Sequence, residues 1–387
     1  MRNWTNVTED ILQIGINDRV TDLFEGQYKI PNGISYNAYV ILDEKVCLLD
    51  TVDGRFAAEY LAALEEALGG REPEYLVVSH MEPDHSACIG ALMEKYPEMR
   101  LVGNQKTFPI LKRYFDLLLE ERSVTVREGE TLSLGRHELT FVMAPMVHWP
   151  EVMVAYDAGE KILFSADAMG KFGALDCEEE WLGEARRYYF NIVGKFGKQV
   201  EMLLNKAKNL EIETVCPLHG PILRGEALAK ALEVYAKWGA YAPEEKGVLV
   251  AYASLHGNTA KAARAFEKML RDRGAKVEMF DLAREDLSEA LSQAFRLDTM
   301  VLMASSYDAG VMPFMETFLA HLKAKNYQKR RVALVENASF APSANRTMRE
   351  ILSQMREISV EEEPITIFGS VKPEDLQKLE ALADKLA

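Results

Sequence analysis

No Cys-x-x-Cys pair occurs in this chain: its four cysteines, Cys47, Cys88, Cys177 and Cys216, stand far apart. That spacing excludes a thiolate zinc ribbon, a rubredoxin-type iron site or a ferredoxin cluster built within the chain. It also argues against a disulfide scaffold and for a reducing compartment. No run approaches the ~20 apolar residues that a membrane-spanning helix needs. The opening Met1-Arg2-Asn3-Trp4-Thr5 has no apolar leader core. A cytoplasmic protein without a membrane partner is expected. Positive charge is scarce, with 45 Lys and Arg against 60 Asp and Glu and a net charge of −15. That balance speaks against a general nucleic-acid partner. What the chain does have is core: 48% of its 387 residues are hydrophobic and 27% are charged. This describes a packed protein, too long for one ordinary core and expected to form two domains.

Histidine is also rare, at seven residues, yet two fall within Ser79-His80-Met81-Glu82-Pro83-Asp84-His85. The preceding Glu74–Val78 reads as a buried strand, and Ser86–Leu92 as the first turns of a helix. The stretch therefore reads as a loop at a strand end, where α/β folds tend to place chemistry. A polar turn that happens to hold two histidines is the plain alternative; a metal site is the sharper one. Three further strand ends carry residues of the same kind: His148 in Met146–Pro150, Asp167 in Phe164–Ala168 and His219 in Val215–Pro221. Taken alone, His148 reads as a structural or surface residue, whereas His219 in its Leu-His-Gly-Pro turn favours function. Taken together, the loops favour a metal site. His137 and His321 read as structural or surface residues.

Around these loops, Tyr36–Leu42 and Val46–Asp50 give a hairpin signal. Phe56–Leu68 has helical spacing and stops at Gly69-Gly70. Leu101–Gly103 is a short strand and Phe108–Leu119 reads helical. Further strands are expected at Ser123–Arg127, Thr131–Leu134, Glu138–Met143, Val152–Asp157 and Lys161–Ser165. Two sheets with helices outside are expected from this order.

The periodicity breaks at Gly239–Lys246, too short and too poor in Ser and Gly for a flexible linker. Then Gly247–Ala253 reads as a buried strand, Ser254-Leu255-His256-Gly257-Asn258-Thr259 as a turn, and Ala260–Arg273 as a helix. Hydroxyls and glycine at a helix N-terminus make a phosphate cradle; an ordinary strand-to-helix turn is the alternative. There is no Gly-Lys-Ser/Thr and no GxGxxG, so neither a nucleoside-triphosphate loop nor a dinucleotide fingerprint is present. Strands follow at Lys276–Phe280, Thr299–Ala304, Arg331–Val335 and Pro364–Phe368. Helices are expected at Pro313–Lys323, Ala344–Met355 and Pro373–Leu386. In a doubly wound sheet of order 2-1-3-4-5, the loops after strands one, three and four meet where a mononucleotide binds.

The loops of the first half resemble the metallo-β-lactamase fold with its two-metal site. Where that family usually has His-x-His-x-Asp-His, this chain has His80-x-Glu82-x-Asp84-His85. A carboxylate in place of imidazole hardens the site and favours iron or manganese over zinc. The second half resembles flavodoxin. Both motif sets in this order resemble the flavodiiron proteins and cover essentially the whole chain. The resemblance implies an α/β protein: a metallo-β-lactamase-like αββα sandwich (1–245), then a flavodoxin-like doubly wound five-stranded parallel sheet (246–387).

It implies two iron ions. His80, Glu82 and His148 would hold one, Asp84, His85 and His219 the other, and Asp167 would bridge them, with His85 the least secure. It also implies FMN. Ser254, His256, Asn258 and Thr259 would hold its phosphate. Ser305, Tyr307, Asp308 and Gly310 would edge the ring, and Asn337, Ser339, Phe340, Ala341 and Pro342 would flank it, with Phe340 as the stacking ring. The implied reaction reduces O2 to water, NO to N2O, or both. Phe24, Glu25, Tyr28 and Trp149 are the candidates for the shell that chooses between the gases. The sequence ends after the last helix, so a separate rubredoxin or other reductase is the expected donor. A head-to-tail homodimer, or a dimer of dimers, is expected to bring the FMN of one chain to the iron pair of another. A two-metal zinc hydrolase and a non-enzymatic electron carrier or gas sensor are the rival readings.

Overall fold

The computed structural model of the protein describes residues 4–117, 119 and 121–387. They form two compact units, one of Met1–Tyr189 with Lys198–Ala236, the other of Phe190–Gly197 with Lys237–Ala387.

Among the described residues the first unit holds two large sheets and a two-stranded ribbon, Leu23–Phe24 with Tyr28–Lys29. One runs Trp4–Asn6, Ile11–Asp18, Ile34–Leu42, Val46–Leu49, Pro73–Val77, Arg100–Gly103, Ser123–Thr125. The other runs Thr131–Ser133, Glu138–Met143, Met153–Asp157, Ile162–Phe164, Thr214–Cys216, Leu223–Arg224. Period-two alternation builds the core between them. Tyr39, Ile41, Cys47, Leu49, Tyr75 and Val77 come from the first sheet, and Leu139, Phe141, Met153, Ala155, Ile162 and Phe164 from the second. Helix Ala57–Leu68 buries Tyr60, Ala63, Leu64, Ala67 and Leu68, a stripe at helical spacing. It stops at Gly69, whose left-handed backbone (φ 58°) suits a residue without Cβ.

Two of the sequence expectations change here. The helix expected over Phe108–Leu119 spans only Thr107–Tyr114, because Phe115 turns to extended backbone. Residues 118 and 120 lie outside the described residues. The motif loop is also partly helical: Pro83–Ser86 forms one turn, with proline at its start, before a separate helix Ile89–Lys95. Asp84 and His85 therefore project from a helical turn rather than from open loop.

His137 is structural, as expected, and buried. Its Nδ1 meets Asp157 Oδ2 at 2.5 Å and its Nε2 meets Asp10 Oδ2 at 3.1 Å. The Asp157 hydrogen bond, opposed by burial and helped by Asp10, raises this imidazole to about 9. A raised folded-state pKa stabilises fully below the unfolded value and is lost as pH climbs through the folded one. The urea midpoint should therefore fall between pH 6.5 and about 9, and His137→Gln should remove the part due to this group. Parallel midpoint-against-pH curves for the two proteins would refute this.

The second unit is the doubly wound sheet. Its parallel strands stand in the order Val277–Asp281, Glu245–Ala253, Leu297–Tyr307, Arg330–Ala338, with Ile365–Phe368 and Ile358–Val360 on the far side. A short strand Gly310–Val311 folds back on the end of Leu297–Tyr307. Four helices follow the sequence reading. A fifth, Leu287–Arg296, starts at Asp286, whose side chain accepts from the Ser288 N–H. Among the described residues no helix is long and apolar enough to cross a membrane.

Candidate metal centre

Each candidate ligand follows a strand end. His80 and Glu82 lie beyond Pro73–Val77, His148 between Glu138–Met143 and Met153–Asp157, Asp167 beyond Ile162–Phe164 and His219 beyond Thr214–Cys216. The last two strands are parallel neighbours, which sets their following loops side by side. The loops bend sharply: Asp50, Met146, Ala166 and Met169 are all non-glycine residues with left-handed backbone. Such conformations persist where the surroundings over-determine them, and they cluster at functional sites.

All seven candidates converge into two groups of potential ligand atoms. In the first, His80 Nε2 lies 3.2 Å from Glu82 Oε2 and 3.4 Å from Asp167 Oδ2. His148 Nε2 lies 2.9 Å and 3.1 Å from the same two oxygens. In the second, His85 Nε2 and His219 Nε2 are 2.9 Å apart, and each is 3.3 Å from Asp84 Oδ2. Asp167 Oδ1 stands 3.3 Å from the former and 3.8 Å from the latter. Asp167 thus offers one oxygen to each group. Ligand bonds of about 2.0–2.2 Å give ligand-to-ligand separations of roughly 3 Å.

The buried polar atoms test whether a cation fits. Both oxygens of Asp84 and of Asp167, and Nε2 of His148, are buried without a hydrogen-bond partner among the described residues. Such acceptors are costly to leave alone, and a cation would satisfy them together. Burial would lower the His80 and His148 imidazoles, yet Asp167 and Glu82 outweigh it. His80 is held well above its ordinary value and His148 near 9. Burial would likewise raise Glu82 and Asp167, but the histidines depress both. A metal ion must therefore displace protons that these carboxylates favour.

The hydrogen bonds behind the ligands set their tautomers. His219 Nδ1 lies 2.7 Å from the Ser35 carbonyl, which can only accept, so Nδ1 carries the proton and Nε2 keeps its lone pair for the centre. His80 Nδ1 lies 2.9 Å from Glu151 Oε1, which also accepts from the Met81 N–H at 2.9 Å. Asp50 takes the Ser79 and His80 N–H groups at 2.8 and 3.2 Å, and burial raises its carboxyl to about 6. His85 Nδ1 is buried without a hydrogen-bond partner among the described residues.

Sequence reasoning missed Glu151, Asp50, Ser35 and Tyr188. Glu151 had a usable signal, an acid three residues after His148 in the same loop. Tyr188 had none: it arrives from helix Trp181–Tyr188 and sets its ring 5.4 Å from that of His219. Of the candidates for the outer shell, Trp149 packs its ring 5.2 Å from His80, and Phe24 lies 5.6 Å from His219, both edge-on. Tyr28 turns to Phe172 instead. Glu25 lines a cavity of about 340 Å³ together with Phe24, Glu82 and Asp84. Removing the brace behind His80 has a clear expected result: Glu151→Ala should weaken metal retention about 10–100-fold, and Glu151→Gln should restore part of it. Chelator titration reads this, and equal retention in all three proteins would refute it.

In the second unit the three candidate loops follow adjacent parallel strands. Ser254 Oγ accepts from the Gly257 N–H at 3.1 Å, and Gly257 takes the left-handed φ of 85° that precedes helix Asn258–Asp272. Thr259, Ser305 and Asn337 are buried and tie the loops down. The Thr259 and Ser305 hydroxyls are 2.9 Å apart, and Asn337 donates to the Gly369 carbonyl at 2.7 Å. His256, Tyr307, Asp308, Ser339, Phe340, Ala341 and Pro342 are exposed, with Ser254, Asn258 and Gly310 half-buried. Phe340, in the loop after strand Arg330–Ala338, is 82% exposed, an apolar ring that invites cover.

Comparison with known proteins agrees with both halves. Residues 34–220 match the ODP family beta lactamase. The chain is 29% identical to the nitric oxide reductase of Moorella thermoacetica, over 98% of this chain and 97% of that one. Its fold superposes with a TM-score of 0.92 on the rubredoxin oxygen:oxidoreductase of Desulfovibrio gigas, at 25% identity over 99% and 97% of the chains. It superposes at 0.89 on a mutant of the flavo di-iron protein of Thermotoga maritima, at 26% identity over 99% and 97%. The chain is similar to the flavodiiron proteins along nearly all of its length. Like these relatives it is an oxidoreductase, and its two units have the β-lactamase-like and flavodoxin-like folds of their architecture.

Proposed function

We propose that this chain reduces O2 to water, NO to N2O, or both, at two iron ions, with electrons passed through FMN from an external donor such as a rubredoxin. The observation that carries the reading is the pair of ligand groups sharing Asp167, with Glu82 among the histidines. In this reading His80, Glu82 and His148 hold one iron, Asp84, His85 and His219 the other, and Asp167 spans both. The names of the Moorella and Desulfovibrio relatives support the substrates and the donor. Two iron ions held there would supply the chemistry for reducing the gas, and FMN in the second unit would supply its electrons one at a time.

The chain's own residues prepare for this. Ser35 and Glu151 orient His219 and His80 so that their free nitrogens face inward. Three carboxylates offset the charge of two cations better than an all-imidazole site would. Phe24 and Trp149 cover the imidazoles with apolar rings, which limits water at the centre. The loops at Ser254–Thr259, Ser305–Gly310 and Asn337–Pro342 are proposed to hold FMN: backbone N–H groups at the start of helix Asn258–Asp272 for its phosphate, Tyr307 and Phe340 for its ring. The assembly is proposed as a head-to-tail dimer or a dimer of dimers, in the cytoplasm. An active monomer in equilibrium sedimentation would refute that assembly.

The deciding experiment is anaerobic reconstitution with iron and FMN, then O2 and NO consumption measured side by side with one reduced donor. Uptake of at least one gas that requires both cofactors is expected. Retention of zinc with hydrolase activity and no gas uptake would favour a hydrolase. Redox cycling of FMN without turnover would favour a carrier or sensor.

A further inference from the structure

Behind the ligand loops lies a second, enclosed cavity of about 30 Å³ in the first unit. Its walls include Val147, Ala168, Leu163, Val200, Leu204 and Val215. Two of these are the chain neighbours of candidate ligands: Val147 precedes His148 and Ala168 follows Asp167. Only two wall residues carry side-chain polar atoms other than sulfur, and both hydroxyls are engaged. Ser165 Oγ donates to the Ala168 carbonyl at 2.7 Å, and the Tyr235 hydroxyl accepts from the Met169 N–H at 2.5 Å.

The chemistry of the occupant follows from the walls. A water needs roughly 10–15 Å³ and two to four polar partners. The space is sufficient for one, but the partners are not there. An ion or a polar metabolite would lose its hydration without replacement. A small apolar molecule loses nothing on entry, and apolar cavities in proteins stay dry and take up gases such as xenon. Close packing is the norm, and a void removes contacts from its lining. The void against the backs of the His148 and Asp167 loops is therefore a space that a small apolar molecule enters at no desolvation cost and with contacts to gain.

We infer that this cavity binds an apolar diatomic gas and holds it beside the metal centre. That the gas is the substrate rests on the redox reading above; that the site takes a gas rests on the cavity alone. Xenon is the probe, applied under pressure to crystals of the full-length chain. One xenon is expected in the cavity of the wild-type protein. Val200→Phe, which fills the cavity away from any candidate ligand, should exclude it, and Leu204→Ala, which enlarges it, should keep it. In the reconstituted enzyme, Val200→Phe should raise the KM for the consumed gas several-fold with little change in kcat.

Absence of xenon from both the wild-type and the Leu204→Ala cavities would overturn the inference. So would an unchanged KM in a Val200→Phe enzyme that has lost the xenon. A chain that binds xenon here but consumes neither O2 nor NO would refute the redox reading and leave the gas site standing.

Discussion

Asp167→Ala should yield a folded chain that no longer holds a metal pair and no longer turns over. Asp167 is the one candidate residue whose two oxygens face different ligand groups, Oδ2 toward His80 and His148, Oδ1 toward His85 and His219. Its removal deletes a shared negative charge and leaves four histidines to face two cations with Glu82 and Asp84 alone. Loss of a brace behind a ligand already costs about 10–100-fold in metal affinity or activity, and loss of a bridging ligand should exceed that. Metal content per chain and gas uptake are the readouts, with circular dichroism as the folding control. Two tightly held irons and near wild-type turnover in Asp167→Ala would sink the shared-carboxylate reading. Asp167→Glu keeps the charge but lengthens the arm, so it should recover metal before it recovers rate.

Glu82→His should turn the centre toward zinc. Glu82 Oε2 is the oxygen that the His80 and His148 imidazoles approach, and the histidines depress its carboxyl against the effect of burial. Replacing it with a third imidazole removes a charge and a hard ligand. Raw affinity already ranks zinc above ferrous iron, so iron depends on ligand type and geometry for its place. Competitive loading with equal ferrous iron and zinc should shift the bound ratio toward zinc by about tenfold, equivalent to ~1.4 kcal/mol. Elemental analysis of the desalted protein reads the ratio, and gas uptake should fall with the iron. An unchanged ratio would mean that Glu82 does not select the metal. Loading the variant with iron alone separates a change in preference from a change in chemistry.

The parts of this protein that were legible in its sequence are those governed by local chemistry. The order of strands and helices in the flavodoxin-like half follows from apolar runs punctuated by Gly, Ser, Asn and Pro, and the parallel sheet formed in the expected order. The ligand types were visible because His is rare here and each candidate follows a strand end. A longer helix than Thr107–Tyr114 is expected because the apolar run continues past Phe115, where the backbone turns extended. A hydrophobic pattern does not mark that point. Leu287–Arg296 was passed over although Asp286 caps it in the ordinary way.

Pattern could specify which residues are suited to the chemistry, but not which atoms meet. His80 and His219 are far apart in the chain, and only the packing of two sheets brings them to the two neighbouring groups of candidate ligands that Asp167 faces. Glu151, Asp50 and Ser35 look like any buried polar residues until the fold sets them behind the ligands. Tyr188 and the apolar cavity have no signature at all, since each is made by helices packing on loops from elsewhere in the chain. Secondary structure and ligand chemistry arise from interactions over a few residues, and those are written consecutively. Tautomers, burial and voids arise from contacts across tens to hundreds of residues, and those exist only once the chain has folded.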